Sequence, residues 1–219
     1  MATAGLFSPP EPKKAKLEIP AATREIVVTK PIIIGKGEHR DFGWARIVPK
    51  GLGDGSQREG QRPVMALLRG ASVSRLIIGA PGADGIYCVG DNKLIDVYFE
   101  DVGEDAITVK GGPVLWDGGG ARKASDKIVQ MNHKGPFIGK NLVFEDFSIA
   151  VRGNGNKKFS KVSFRIELEN IQATKGRSLV KLSSKGSKVT MKNVDTWDVE
   201  NVTSTSNGAE TDKENVNKR

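Results

Sequence analysis

From residue 82 onward the chain repeats a short pattern: an aspartate, then strand-like residues bounded by glycine. GADGIYCVG, GEDAITVKG and ASDKIVQMN carry it. Asp84, Asp105 and Asp126 fall at a constant step of 21 residues, and Ile86, Ile107 and Ile128 keep the same step. The apolar runs are short and β-branched, and no segment keeps a helical period over three turns, so the pattern predicts strands. A fixed step near 20 residues, with short strands between turns, predicts the stacked coils of a solenoid. Each coil is too short to bury a face alone, so stability must come from stacking on its neighbours.

The rest of the chain fits around that repeat. Residues 1–24 are rich in proline, lysine and alanine and read as a flexible arm. Residues 25–34, EIVVTKPIII, read as strand interrupted at Pro31, which suits an end coil. Residues 35–60 read as irregular, with Trp44 and Ile47 as apolar anchors and one strand over 45–48. VMALLRGASVSRLIIG, NKLIDVYFE, NLVFEDF and residues 161–171 and 188–199 read as strands of successive coils, with a looser turn over 174–177. The solenoid domain therefore spans 25–202. Residues 203–219 are polar and read as a disordered tail.

In a parallel stack, equivalent positions of adjacent coils lie ~4.8 Å apart. The step of 21 thus predicts Asp84, Asp105 and Asp126 in one column. Stacked carboxylates repel, and a bound cation is the simplest reason to tolerate them. Turn aspartates that are separately solvated would have the same spacing.

The composition narrows the partners. Hydrophobic residues make up 37% and aromatics 6%, with 26 glycines, as many short strands and tight turns require. The net charge of +8 favours an anionic partner. Nucleic acid is one such class, but the basic residues are scattered, the KKAK cluster is short, and no nucleic-acid motif is present. No stretch has the apolar length to span a membrane, and the N-terminal residues lack the apolar run of a secretory signal. Cys88 is the single cysteine, which excludes an internal disulfide and reads as a small core residue. His39 and His133 have no metal-ligand spacing and read as surface residues. Trp44, Trp116 and Trp197 read as packing near coil ends. The run Asp117-Gly-Gly-Gly120 lacks the ending of a phosphate loop and reads as a turn.

Five segments in order, GSQREGQRPV, GASVSRLIIGAPGADGIYCVG, DVYFEDVGEDAITVKGG, DGGGARKASDKIVQMN and DFSIAVRG, closely resemble the family 3 pectate lyases. The resemblance is specific over residues 55–153 and continues to about 202 as coil pattern. It implies an all-β, single-stranded, right-handed parallel β-helix. It implies calcium-dependent cleavage of polygalacturonate or pectin by β-elimination, by a secreted monomer. It places the calcium-binding acids at Glu59, Asp84, Glu104, Asp105 and Asp126, a catalytic base at Lys127 and the arginine of the lyase motif at Arg152.

Lys127 follows Asp126 directly, and neighbours on a strand point to opposite faces, so the two share a site only at a bend. A free lysine is protonated at neutral pH; as a base, Lys127 needs nearby cations to lower its pKa, and activity is expected to rise towards alkaline pH. A guanidinium stays charged, which assigns Arg152 to binding and charge stabilisation. Several positions depart from the family. Ile149 stands where the family has a lysine, Tyr87 replaces the histidine of GIHC, Met131 replaces another histidine, and Cys88 lacks its partner. These departures define an alternative, a non-catalytic binder of acidic polysaccharide on the same scaffold.

Overall fold

The computed structural model describes residues 14–56, 58, 60–153 and 162–219. Glycine-bounded β-branched runs become strands throughout, and there is no helix among the described residues. The strands are β1 (Arg24–Val28), β2 (Ile32–Ile34), β3 (His39–Pro49), β4 (Met65–Leu67), β5 (Ser72–Ile78), β6 (Ile86–Cys88) and β7 (Asn92–Phe99). They continue as β8 (Asp105–Val109), β9 (Val114–Met131), β10 (Phe137–Gly153), β11 (Arg165–Leu182), β12 (Lys188–Thr205) and β13 (Glu210–Lys218).

Every pairing is parallel. One path runs β1-β3-β5-β7-β9-β10-β11-β12-β13, and a second, β2-β4-β6-β8, joins it at β9. β7 pairs with the start of β9 and β8 with its end. Early coils are therefore built from two short strands, and later ones from a single long strand that bends round the core. This is the stacked solenoid that the repeat predicts and the parallel β-helix that the resemblance implies.

The bends stack as well as the strands. Arg75, Asp96, Gly118, Asn141, Asn170, Asn193 and Asn215 all have positive φ and mark one corner of successive coils. Asparagine tolerates this left-handed conformation better than most residues. Its amide also links coils: Asn170 donates to Asn141, Asn193 to Asn170 and Asn215 to Asn193. Lys123, Asp146, Lys175 and Asp198 mark a second left-handed corner. Residues 174–177, expected as a loose turn, are this corner inside β11.

The core is a set of ladders. Ile86, Ile107, Val129, Val151 and Val180 stack in register, all fully buried. Phe99, Trp116, Phe144 and Phe147 form a chain of tilted and edge-on ring contacts. Trp116 is thus mid-core, with its indole N–H donating to the Val97 carbonyl, and not at a coil end as expected. Cys88 lies in the core, where burial raises its thiol pKa. Residues 35–60 contain an eleven-residue strand, longer than the 45–48 segment predicted.

Both expected flexible ends are more structured than their composition suggests. Residues 1–13 lie outside the described residues. From Lys14 the arm packs across the later coils: Lys14 pairs with Asp198, the Ala15 carbonyl accepts from Thr174, and the Leu17 amide donates to Glu145. Leu17 is buried because Gly120 leaves room for it; a Cβ at Gly120 would lie 2.7 Å from Leu17 Cδ1. At the other end, β12 runs to Thr205 and β13 adds a further coil. β13 is polar because it is an outermost strand, yet Val216 still packs on the core.

Candidate active site

A third corner places the chemistry. Alternation breaks there: Ala106 and Ile107, Ile128 and Val129, Ala150 and Val151, and Leu179 and Val180 are consecutive pairs with both members buried. A strand cannot bury two neighbours on one side without bending. Polar residues flank the bend, with Asp105 and Lys127 before it and Thr108, Gln130 and Arg152 after it.

The approach to this corner depends on glycine. A Cβ on Gly82 would lie 2.3 Å from the Asp101 carbonyl oxygen, and one on Gly103 would lie 2.4 Å from the Ala83 carbonyl oxygen. At Gly85, whose φ is positive, it would lie 2.1 Å from the Ala106 carbonyl oxygen. These contacts let the loops before β6 and β8 stack directly, with the Glu104 amide donating to the Ala83 carbonyl at 2.9 Å. The stacking brings Asp84, Glu104 and Asp105 to one corner, all more than nine-tenths buried.

The third coil departs from the expected column. Asp105 is in register with Lys127, and Ile107 with Val129. The step here is one residue longer because β9 is bulged against β10. Ala124 pairs with Phe147 but Lys127 pairs with Ile149, so β9 carries one extra residue. Asp126 lies in the bulge, off the strict column. This is the bend that the Asp126–Lys127 pair requires, and both side chains reach the same site. The Lys127 ammonium pairs with Asp126 and lies 3.3 Å from Asp105 Oδ1.

Electrostatics follow from this burial. Asp105 is pushed up to about 7, first by burial, with the charges of Asp84 and Asp126 adding and Lys127 opposing. Burial alone would lower Lys127, but Asp105 and Asp126 outweigh it and hold the ammonium above the ordinary lysine range. The described neighbours of Lys127 are anions, and Arg152 lies one coil away. The Tyr87 hydroxyl donates to Asp84 Oδ2 at 2.5 Å, and burial raises the phenol pKa. Lys110 Nζ stands 3.7 Å from the centroid of the Tyr87 ring.

Arg152 is half-buried on the same outer column as Thr108 and Gln130, one coil beyond Lys127. Among the described residues it forms no ion pair. Glu59 lies outside the described residues. Ile149 is buried next to Lys127 in the stack, and Met131 fills the core, so neither adds a polar group to the site. Sequence reasoning missed Lys110 and saw in Tyr87 only a departure from the family. Extending the repeat to the outward position after each buried isoleucine or valine gives Tyr87, Thr108, Gln130 and Arg152, the outer column itself.

A carboxylate-lined corner of a parallel β-helix, with a lysine among the acids and an arginine one coil away, defines a class of densely charged site. Comparison with known proteins makes that class specific. The family model described as Pectate lyase matches residues 16–213. A probable pectate lyase F of Aspergillus terreus is 38% identical over 184 residues, covering 80% of this chain and 78% of that protein. A probable pectate lyase E of Aspergillus fumigatus is 31% identical over 182 residues, covering 78% and 68%. Among solved structures, pectate lyase PelI of Erwinia chrysanthemi matches with a TM-score of 0.67 at 22% identity, over 83% of this chain and 62% of that one. PelI in complex with tetragalacturonic acid matches with a TM-score of 0.64, also at 22% identity, over 82% and 62%. The chain spans somewhat under two thirds of the full PelI chain. The protein belongs to the pectate lyase family, enzymes that are lyases acting on pectate.

Proposed function

We propose that this protein cleaves α-1,4-linked polygalacturonate by calcium-dependent β-elimination and releases 4,5-unsaturated oligogalacturonides, acting outside the cell as a monomer. The observation that carries the reading is the corner that gathers three buried carboxylates, Asp84, Glu104 and Asp105, with Lys127 beside Asp105. Several hard oxygen donors suit calcium. Burial, first, and then the charges of Asp84 and Asp126 oppose ionisation of Asp105, and a divalent cation among these oxygen donors would offset that penalty, so the donor set fits such an ion. Asp84, Glu104, Asp105 and Asp126 would hold the ion, with Glu59 assigned to them by resemblance. As they stand, no three acidic, histidine or cysteine side chains among the described residues close into a metal cage. When bound, the ion would neutralise the uronate carboxylate and make the C5 proton more acidic.

The chain's own residues do the rest. Lys127 Nζ accepts the proton from C5. The C5–H electron pair becomes the C4=C5 double bond, the C4–O bond breaks, and the leaving oxygen takes the C4–O bonding pair and a proton from solvent. Lys127 must first lose its own proton, which its anionic neighbours resist, so activity rises towards alkaline pH. Arg152 stays charged, binds the uronate and stabilises the charge that develops on it.

Absorbance of the conjugated double bond tests the reading, because hydrolysis leaves no such bond. It is expected to grow during incubation with polygalacturonate and calcium at alkaline pH, and to stop with a chelator. A second reading, binding without cleavage, is favoured by Ile149 in place of a cation and by the ion pairs that hold Lys127. Calcium-dependent retention on polygalacturonate with no absorbance at any pH would select it.

A further inference from the structure

Tyr87 sits between two core residues, Ile86 and Cys88, and its own side chain faces outward. It is in register with Ala66 on one side and Thr108 on the other, and Thr108 with Gln130, so it stands in the outer column that leads to Arg152. Its two ends touch different groups. The hydroxyl donates to Asp84 Oδ2 at 2.5 Å, across the junction between the Gly82–Gly85 loop and β6. The ring face lies under Lys110, with the ammonium 3.7 Å from the centroid. A cation at that distance from an aromatic face is held by the ring quadrupole, and one oxygen of Asp84 is fixed by a charge-assisted bond.

We infer that Tyr87 is a positioning residue with two separable parts. Its hydroxyl sets the orientation of the Asp84 carboxylate for a divalent cation, and its ring holds the Lys110 ammonium over the face where an anionic sugar lies. The inference rests on the calcium and polygalacturonate readings given under Proposed function. Position 87 carries a tyrosine where the resembling family has a histidine. A histidine cannot present a hydroxyl to Asp84.

Calorimetric titrations separate the two parts without relying on turnover. Tyr87→Phe keeps the ring and removes the hydroxyl. Its affinity for calcium chloride is expected to fall about tenfold, while its affinity for tetragalacturonic acid at saturating calcium stays unchanged. Tyr87→Leu removes both parts and is expected to weaken tetragalacturonic acid as well, by about three- to tenfold. Lys110→Met is expected to reproduce the sugar loss alone. Melting curves in chelator establish that each variant is folded. Asp84→Asn is the control. If it leaves calcium affinity intact, the calcium reading itself fails. If Asp84→Asn loses calcium while Tyr87→Phe binds like the wild type, the hydroxyl role is overturned. If Lys110→Met binds the sugar like the wild type, the ring's role is overturned.

Discussion

Asp105 stands in register with Lys127, and Asp126 lies one step off, in a bulge. The cluster therefore continues from the second coil to the third as a carboxylate beside an ammonium. Lys127 is the counter-ion of Asp105 and Asp126 in this structure, and a divalent cation on those carboxylates would compete with it. Lys127→Met is thus expected to bind calcium more tightly than the wild type in calorimetry. The same variant is expected to lose at least 10²-fold in elimination rate, the usual scale of a general base. Weaker calcium binding in that variant would mean the ammonium supports the cation site and does not oppose it.

Gly85 sets how closely two of the acid-bearing loops stack. Its φ is +39°, and a Cβ there would meet the Ala106 carbonyl oxygen at 2.1 Å. Gly85→Ala must push the two loops apart or strain both, at about 1–3 kcal/mol. The expected outcome is a lower melting temperature together with weaker calcium binding, since Asp84 and Asp105 separate. A variant that melts lower but binds calcium normally would show that the cluster does not depend on this contact.

How much of this was legible in the sequence depended on what a period can carry. A step of 21 residues is enough to stack Ile86 on Ile107 and Asp84 above Asp105, because register follows from coil length alone. It could not reveal the bulge, since one extra residue in β9 leaves the alternation of ASDKIVQM unchanged to the eye. Lys127 was therefore reached through the family motif, and its partners only through the structure. The Tyr87–Asp84 bond and the Lys110 stack depend on side-chain direction across a corner, which no spacing encodes. The β13 coil was missed because an outermost coil needs little apolar sequence, and Leu17 because a single leucine in a proline- and lysine-rich arm gives no pattern.

Leu17 makes a separable prediction about stability. It is buried against the glycine-lined edge of β9, on a different face from Lys127 and Arg152. Leu17→Ala is expected to destabilise the fold by about 2 kcal/mol, read from urea unfolding, with calcium affinity unchanged. An unaltered unfolding midpoint would show that the strap contributes nothing to the folded state.

The early coils carry an acid-sensitive pair. Arg75 donates to both oxygens of Asp41, and with the Gly43 amide it holds that carboxyl at about 2. A depressed carboxyl contributes stability that is present above its unfolded pKa and is lost as pH falls through the folded value. The loss should thus appear between about pH 4 and pH 2. Arg75→Gln is expected to flatten that part of the acid-melting profile by lowering the plateau above about pH 4, only slightly because the pair is exposed, with little change below about pH 2. The Asp41 carboxyl resonance, followed by NMR, would show whether its titration moves up in the variant.

Ile149 offers the sharpest separation of stability from function. It is 1% exposed and stacks beside Lys127, at the position where the resembling family carries a lysine. Ile149→Lys places a second ammonium about 4.8 Å along the stack from the first. Burial and like charge both oppose it, so the melting temperature in chelator is expected to fall by several degrees. The same ammonium faces the side on which Arg152 lies, and it would add a cation for the uronate carboxylates. Affinity for polygalacturonate is expected to rise several-fold, and the gain to shrink with added salt. Lower stability with no gain in affinity would mean that the sugar does not run past this coil, and Arg152 would then serve charge stabilisation at the reacting residue alone.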